Sequence, residues 1–525
     1  MRRSNARIAK PNLDDGSAGM DPVKLQFRSS RAGFRSPNSR FAKTRSRFCF
    51  YISISIPFVL FFYIFFFRGR GQVSKRYSVV IDGGSTGTRV HVFEYLIRDG
   101  KLVLDFSERG SVSLRMIPGL SAYADNPERS GAVVAELVEF ARKNVPRNQW
   151  QETEARLMAT AGMRLLKNDD QERILNACRN VLRLSGFIFQ DDWATVISGS
   201  DEGVYGWVVA NYALGTLGAE PSQTSGIIEL GGASAQVTFV PNEPIPPAFS
   251  QKVKFGNFTY DLYSHSLLHF GQNVAFESLQ DSLVSAGQKF VTESLRSGKL
   301  VDPCTPRGYS SSTVKVRYVS VLEPSGNFSE CRSASVKLLQ KGKDKCLYAT
   351  CYIGSTFIPK LRGTFLATEN FFHTSKFFGL GERFLLSDLV VAGQQFCSEE
   401  WSKLARKYTT IDEEDLLHYC FSSAYIVALL HDSLGIALND QRIRYVNRVE
   451  NIPLDWAVGA FILQTASRHP EAESSAPWYK SSTGLLLLGA SAFTAASWLG
   501  LKKWRRPQLK TIYDLEKGKY IVTHI

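Results

Sequence analysis

Between its two ends this chain carries no net charge. The formal balance over 525 residues is +14, but residues 1–48 hold 12 Lys/Arg against 3 Asp/Glu, and residues 502–525 hold 7 against 2. The remaining 44 basic and 44 acidic side chains cancel. A surface that tracks a phosphate backbone needs a local excess of Lys and Arg, so the main domain has no nucleic acid as a partner. Familiar phosphate and metal signatures are missing too. The loop Gly83–Gly87 is followed by no Gly-Lys-Ser/Thr and by a strand instead of a helix, which rules out both a P-loop and a dinucleotide fingerprint. His265 and His269 share a helical spacing but lack the Glu of a His-Glu-x-x-His zinc motif, and they are read as structural.

Charge is also absent from two long runs. Twenty uncharged residues separate Arg47 from Arg68, and 21 separate Lys480 from Lys502. At about 1.5 Å per residue, either run as a helix spans the roughly 30 Å hydrocarbon core. The first is read as an uncleaved anchor, because its basic leader and apolar stretch are both too long for a signal peptide and Arg68-Gly69-Arg70 offers no small-residue cleavage site. Arg40, Lys43, Arg45 and Arg47 precede the first run, and Lys502, Lys503, Arg505 and Arg506 follow the second. The positive-inside rule therefore places both tails in the cytosol. Arg68, Arg70, Lys75 and Arg76 oppose this at the first run, whereas only Lys480 flanks the second on its outer side.

Seven of the eight cysteines (178, 304, 331, 346, 351, 397 and 420) fall between the runs. So do the sequons Asn257-Phe258-Thr259 and Asn327-Phe328-Ser329. Together they point to a glycosylated, disulfide-bonded ectodomain on the secretory route, in the Golgi, a vesicle or the plasma membrane. Seven is odd, and Cys178 sits among apolar residues at helical spacing, as a buried free thiol does.

Along the ectodomain, strand-like runs at 77–81, 90–97, 156–160 and 194–198 alternate with helix-like runs at 128–143 and 170–184, the mark of an α/β lobe. Residues 280–345 read as a polar surface segment, and 371–466 as helical. The one internal repeat aligns Asp82-x-Gly84-Ser85 with Glu229-x-Gly231-Gly232. The expected organisation is a disordered basic tail (1–47), a transmembrane anchor (48–67), lobe I (75–215 plus about 450–470), lobe II (216–449), a second transmembrane helix (481–501) and a basic tail (502–525).

The repeated loops carry the chemistry. Val79-Val80-Ile81-Asp82-Gly83-Gly84-Ser85-Thr86-Gly87-Thr88-Arg89-Val90 is strand, acid, a small and hydroxyl-rich loop, then strand. Ile227-Ile228-Glu229-Leu230-Gly231-Gly232-Ala233-Ser234-Ala235-Gln236-Val237 repeats that order. Glycines let backbone N–H groups approach phosphate oxygens, and hydroxyls add donors. Asp82 and Glu229 are suited to a divalent cation, Ca²⁺ or Mg²⁺, held through water. A lone copy could be an ordinary Gly-rich turn; two copies facing one polyphosphate are harder to explain so. Leu157–Arg164 adds a hydroxyl (Thr160) and a guanidinium (Arg164) suited to phosphate. In Ala194–Trp207 a strand ends, a loop turns, and a helix is expected to begin near Val204, with Asp201 and Glu202 just before it.

With these segments in view, the chain resembles the apyrase, or ecto-nucleoside triphosphate diphosphohydrolase, family. The segments Val80–Phe93, Ala159–Arg164, Ile197–Leu214, Gly226–Phe239 and Asp455–Phe461 resemble its five apyrase motifs in order, across nearly the whole ectodomain. The closing tail, 509–520, resembles that of membrane-bound plant members. The resemblance implies an α/β, actin-like fold of two ribonuclease-H-type lobes. It implies hydrolysis of nucleoside tri- and diphosphates with release of inorganic phosphate. It assigns Glu202 as general base, with Ser234 and Gln236 positioning the attacking water, and Asp82 and Glu229 holding the cation's water shell. The family often has Asp where this chain has Glu229, one methylene longer with the same charge. Phosphate and nucleotide contacts would come from Gly84, Ser85, Thr86, Gly87, Thr88, Arg89, Thr160, Arg164, Gly231, Gly232, Ala233 and Trp456, with Phe372 a candidate to stack on the base. It also implies disulfides Cys346–Cys351 and Cys397–Cys420, leaving Cys304 with Cys331 and Cys178 alone. A kinase or chaperone-type ATPase on the same lobes, and a non-catalytic nucleotide binder, are the alternatives. Lumenal placement and the Glu202-Gly203 segment speak against the first, and competent groups at every matched position against the second.

Overall fold

Strand β1 (Lys75–Gly83) shows why the first sheet forms. Its Val79 and Ile81 pack into one apolar cluster and Val80 into another, so successive side chains are buried on opposite faces of a covered sheet. The computed structural model describes residues 75–468 except 99–100, 105, 107–109, 294–299, 311–321 and 350. Beyond 468 it describes scattered positions between 489 and 500 and a hairpin over 509–524 without 515. The tail 1–47 and the run 48–67 lie outside the described residues, as does most of 481–501. Among the described residues no helix is long and apolar enough to cross a membrane.

The first sheet comprises β1, β2 (Thr88–Arg98), β3 (Lys101–Leu104), β4 (Ser111–Met116), β5 (Glu154–Ala159) and β6 (Ala194–Val196). Its order is β3-β2-β1-β5-β6, with β4 also paired to β2. The second contains β7 (Gly226–Leu230), β8 (Ser234–Phe239), β9 (Ser250–Phe255) and β10 (Phe258–Leu268). Two short pairs follow, β11 (Leu300–Asp302) with β12 (Leu322–Pro324) and β13 (Cys351–Ile353) with β14 (Thr356–Phe357). Then β15 (Phe365–Glu369) and β16 (Ile443–Tyr445) complete an order of β16-β15-β7-β8-β10-β9.

Both sheets are built alike around their motif. The hairpin β1–β2 sets Asp82 opposite Arg89, and the hairpin β7–β8 sets Glu229 opposite Gln236, each pair seven residues apart. On its other side each acid-bearing strand takes a parallel neighbour, β5 for β1 and β15 for β7. The repeat read from two short loops is thus a repeat of sheet topology.

Two helices fill the space between the sheets. Helix Gly199–Ala213 lies on the second sheet, and helix Trp456–Arg468 packs on it and on β1. Their shared core takes Val80, Phe93 and Met158 from the first sheet and Ile227, Tyr260 and Leu262 from the second. Fully buried Trp207 at its centre adds about 2–3 kcal/mol of burial. Helix Gly199–Ala213 starts five residues before the expected Val204. Ser198 Oγ accepts the Asp201 N–H at 3.0 Å, an N-cap that fixes the start.

The segment 280–345 is not merely surface. Cys304, Phe328, Cys331 and Leu339 from it are buried in the second lobe's core, because a helix, Phe328–Leu339, and the Cys304–Cys331 disulfide fold its sparse apolar residues inward. Nor is 371–466 helical throughout, since β16 lies within it. Cys346–Cys351 and Cys397–Cys420 are closed as well, and Cys178 is free and buried. His265 belongs to β10 and His269 follows it at φ 75°, so their helical spacing is accidental.

Candidate active site

Each motif loop is a hairpin tip anchored by its neighbours. The Thr160 amide donates to the Gly83 carbonyl at 3.1 Å, tying the first loop to the end of β5. The Gln272 and Asn273 amides donate to the carbonyls of Gly231 and Gly232 at 2.9 and 3.0 Å, tying the second loop to the start of helix Gln272–Glu293. The tips meet: a Cβ on Gly232 would stand 2.7 Å from Thr86 Cγ2 and 2.9 Å from Ser85 Oγ. Only glycine permits that approach.

Beside the tips lies a cavity of about 570 Å³. Asp82, Gly84, Ser85, Thr86, Gly87, Arg89, Thr160, Glu202, Glu229, Gly231, Gly232, Gln236 and Trp456 line it, so most of the residues expected from the sequence converge on one cavity. Four are not on its lining. Thr88, the first residue of β2, and Ala233, just before β8, are both buried. Ser234 stands behind Gln236, whose Nε2 donates to Ser234 Oγ at 2.6 Å and to Ser266 Oγ at 3.1 Å. Arg164 stands behind Glu202: its Nη2 donates to Glu202 Oε2 at 2.8 Å and its Nη1 to the Ile197 carbonyl at 3.1 Å. Its guanidinium therefore serves a carboxylate. Phe372 is also off the cavity, which takes His373 and Thr374 from the same helix.

Several wall residues escaped sequence reading. Asp455 accepts from Arg89 Nη1 at 2.9 Å, with His91 Nε2 at 3.4 Å from the same oxygen, so Arg89 is partly committed to a carboxylate. Arg115, at the end of β4, donates to Thr86 Oγ1 at 2.9 Å and so holds the tip of the first loop. Glu369 ends β15 at φ 59° and ψ −119°, a conformation that costs a non-glycine residue about 1–3 kcal/mol. Glu414, Asp415, His418 and Tyr419, from helix Glu413–Val427, also line the cavity. Asp455 adjoins Trp456 in a recognised segment and could have been found there. Glu369 and Arg115 have no local signal, because backbone geometry and tertiary contact alone bring them in.

The electrostatics are those of an acidic pit. Burial pushes the carboxyls of Asp82 and Glu229 well above the ordinary range, and neighbouring acids (Asp455 for Asp82, Glu202 and Glu369 for Glu229) push them further. Glu202 is raised by burial and partly held down by Arg164. Glu369 is raised by burial and by Asp455. Asp455 goes the other way, because His91 and Arg89 outweigh its burial. Asp82 Oδ1 and Glu229 Oε2 are buried with no hydrogen-bond partner among the described residues. Orphaned buried carboxylate oxygens in an all-oxygen setting fit a hard divalent cation. No three or more His, Cys, Asp or Glu among the described residues converge to bind a bare ion; donors spaced this way would reach one through its water shell.

The model of the GDA1/CD39 (nucleoside phosphatase) family matches residues 70–475. An Arabidopsis thaliana protein described as probable apyrase 6 is 52% identical over the whole of both chains. The Mus musculus ectonucleoside triphosphate diphosphohydrolase 1 is 28% identical, with 82% of this chain and 89% of the relative aligned. Among solved structures, the nucleoside triphosphate hydrolase of Neospora caninum shares the fold with a TM-score of 0.58 at 16% identity, covering 80% of this chain and 97% of that one.

Proposed function

The chain belongs to the GDA1/CD39 (nucleoside phosphatase) family, and from that premise we propose how its cavity hydrolyses nucleoside tri- and diphosphates as an apyrase. The observation that carries the mechanism is Glu202, held by Arg164 at 2.8 Å and lining the same cavity as Gln236 and both motif loops. Transfer of a phosphoryl group to water asks mainly for positioning and charge neutralisation. Both amide hydrogens of Gln236 are engaged by Ser234 and Ser266, which leaves its Oε1 for the cavity. Glu202 and Gln236 Oε1 thus accept the two protons of one water, whose lone pair is left for phosphorus. As the P–O bond to water forms and the phosphoanhydride bond breaks, Glu202 takes a proton as general base. The leaving phosphate departs as the shorter nucleotide. No covalent phosphoenzyme is needed.

The terminal phosphates are gripped by the hydroxyls of Ser85, Thr86 and Thr160 and by the loop amides of both hairpins, with Arg89 and Arg115 supplying positive charge. Asp82 and Glu229 fit the water shell of Ca²⁺ or Mg²⁺, which when bound offsets phosphate charge. The two alike sheets support the actin-like, ribonuclease-H-type description of the fold. For placement, the paired uncharged runs and basic flanks support two membrane spans with both termini cytosolic and the domain lumenal or extracellular. Exposed sequon residues Asn257 and Asn327 and three closed disulfides are compatible with that side. The test is phosphate release by residues 75–480 from ATP and ADP with Ca²⁺, Mg²⁺ or chelator. Equal release with chelator overturns the cation's role, and phosphate transfer to an acceptor other than water overturns the hydrolase.

A further inference from the structure

Glu369 is placed where a side chain has to be used. It is the last residue of β15, beside Leu230 in the parallel ladder and one position beyond the partner of Glu229. Its backbone is turned to positive φ and fixed there, with its own N–H donating to Asn447 Oδ1 at 2.7 Å. The next residue, Asn370, donates from Nδ2 to the Leu230 carbonyl at 2.8 Å, stitching this corner to the second motif loop. The carboxylate stands exposed to the cavity lumen while closely surrounded by protein, and it makes no hydrogen bond to any described group.

Charge decides what that carboxylate is for. Arg89 is paired with Asp455, and Arg164 with Glu202. Removing those pairs leaves Asp82, Glu229, Glu369, Glu414 and Asp415 on the lining against Arg115, an excess of acid in a cavity that receives a polyanion. Glu229 is buried with an unpartnered oxygen and Asp82 has another, so the demand for a cation does not rest on the count alone. We propose that Glu369 is the third carboxylate of the divalent cation's water shell, supplied by β15 to complete the pair from the two motif strands. Its strained corner turns the side chain from the sheet into the lumen; an extended residue there would continue the strand's alternation and face the sheet's cover. With Asp82 and Glu229 the set is one acid from the first sheet and two from adjacent strands of the second. Such all-oxygen, water-mediated binding suits Ca²⁺ and Mg²⁺ over softer ions.

This rests on the reading that Asp82 and Glu229 hold that shell, and the experiment separates the two. Calcium and manganese binding to the nucleotide-free protein is measured by calorimetry for wild type, Asp82→Asn, Glu229→Gln, Glu369→Gln and Glu369→Gly. The expected result is binding lost in the first two variants and weakened at least tenfold in both Glu369 variants. The cation concentration for half-maximal activity rises in proportion, and the nucleotide KM at saturating cation stays within about twofold. Glu369→Gly relieves the backbone and should melt no lower than wild type, so its weakened binding cannot be blamed on misfolding. Wild-type cation affinity in both Glu369 variants, beside loss in the other two, overturns this proposal alone. Wild-type affinity in Asp82→Asn and Glu229→Gln overturns the underlying reading as well.

Discussion

Arg164 holds Glu202 from behind, 2.8 Å from Nη2 to Oε2, with both side chains largely shielded from water. The pair is an orienting contact, and it fixes which face of the carboxylate meets the cavity. Glu202→Gln keeps the size and a hydrogen-bonding end but cannot take a proton. It should lower kcat by about 10²–10⁴-fold with an unchanged far-UV spectrum. Near wild-type phosphate release from that variant would falsify the general-base assignment.

Arg164→Ala removes the group that holds the Glu202 carboxyl down, leaving burial unopposed. A base works deprotonated, so the acid limb of the kcat profile should move to higher pH. Stability should fall by about 2 kcal/mol from the abandoned charged acceptor. An unmoved acid limb, measured over pH 4–9, contradicts the orienting role.

Gly206→Ala tests the fit of the longer acid. A Cβ there would lie 2.5 Å from Glu229 Oε2. Alanine favours the helix by about 1 kcal/mol, so a loss of activity cannot come from the helix itself. We expect at least a tenfold drop in turnover, partly restored by adding Glu229→Asp, whose shorter side chain withdraws from the new methyl. No restoration in the double variant argues that the site fails elsewhere.

Stability should be linked to pH through the acidic pit. Asp82, Glu202, Glu229 and Glu369 all have folded values above ordinary carboxylates. The folded chain keeps those protons longer than the unfolded one, so the native state weakens as pH rises from the ordinary carboxylate range through the raised values. Asp455, held low, acts in the opposite sense, lending stability that is lost as pH falls through its folded value. Added Ca²⁺ should raise Tm more at pH 8 than at pH 5; at a hundred times its Kd it adds about 2.7 kcal/mol of stability. A Ca²⁺ shift that shrinks with rising pH contradicts this arrangement.

Cys178 should be inert in the native protein. Burial pushes its thiol up to about 11, and its Sγ faces Ser130 at 3.8 Å. Iodoacetamide at pH 8 should label it only after denaturation, while non-reducing peptide maps show the three disulfides intact. Rapid native labelling would contradict its burial.

Much of this site was legible because its chemistry lies on hairpin tips. Gly-rich loops between apolar strands announce themselves locally, and so did β1, β2 and the helices over 127–144 and 168–183. Glu369 was illegible because its turn depends on Asn447, far along the chain. Arg115 sits in an ordinary-looking strand and matters only through Thr86. Thr88, Ala233, Ser234 and Arg164 lie off the cavity lining, because a motif names neighbours without saying which of them faces the cavity. The segment 280–345 misled because a disulfide and one helix bury residues too sparse to show a period.

Helix Trp456–Arg468, the last of the domain, covers β1, its first strand, and the adjoining residues bring Asp455 and Trp456 to the cavity. On a ribosome, the first hairpin emerges some 370 residues before the group that pairs with its Arg89. Domains fold as their chain appears, yet here the first sheet must wait for helix Trp456–Arg468 to cover β1. Nucleotide hydrolysis should therefore begin only once helix Trp456–Arg468 has docked, and a chain terminated before it should be silent.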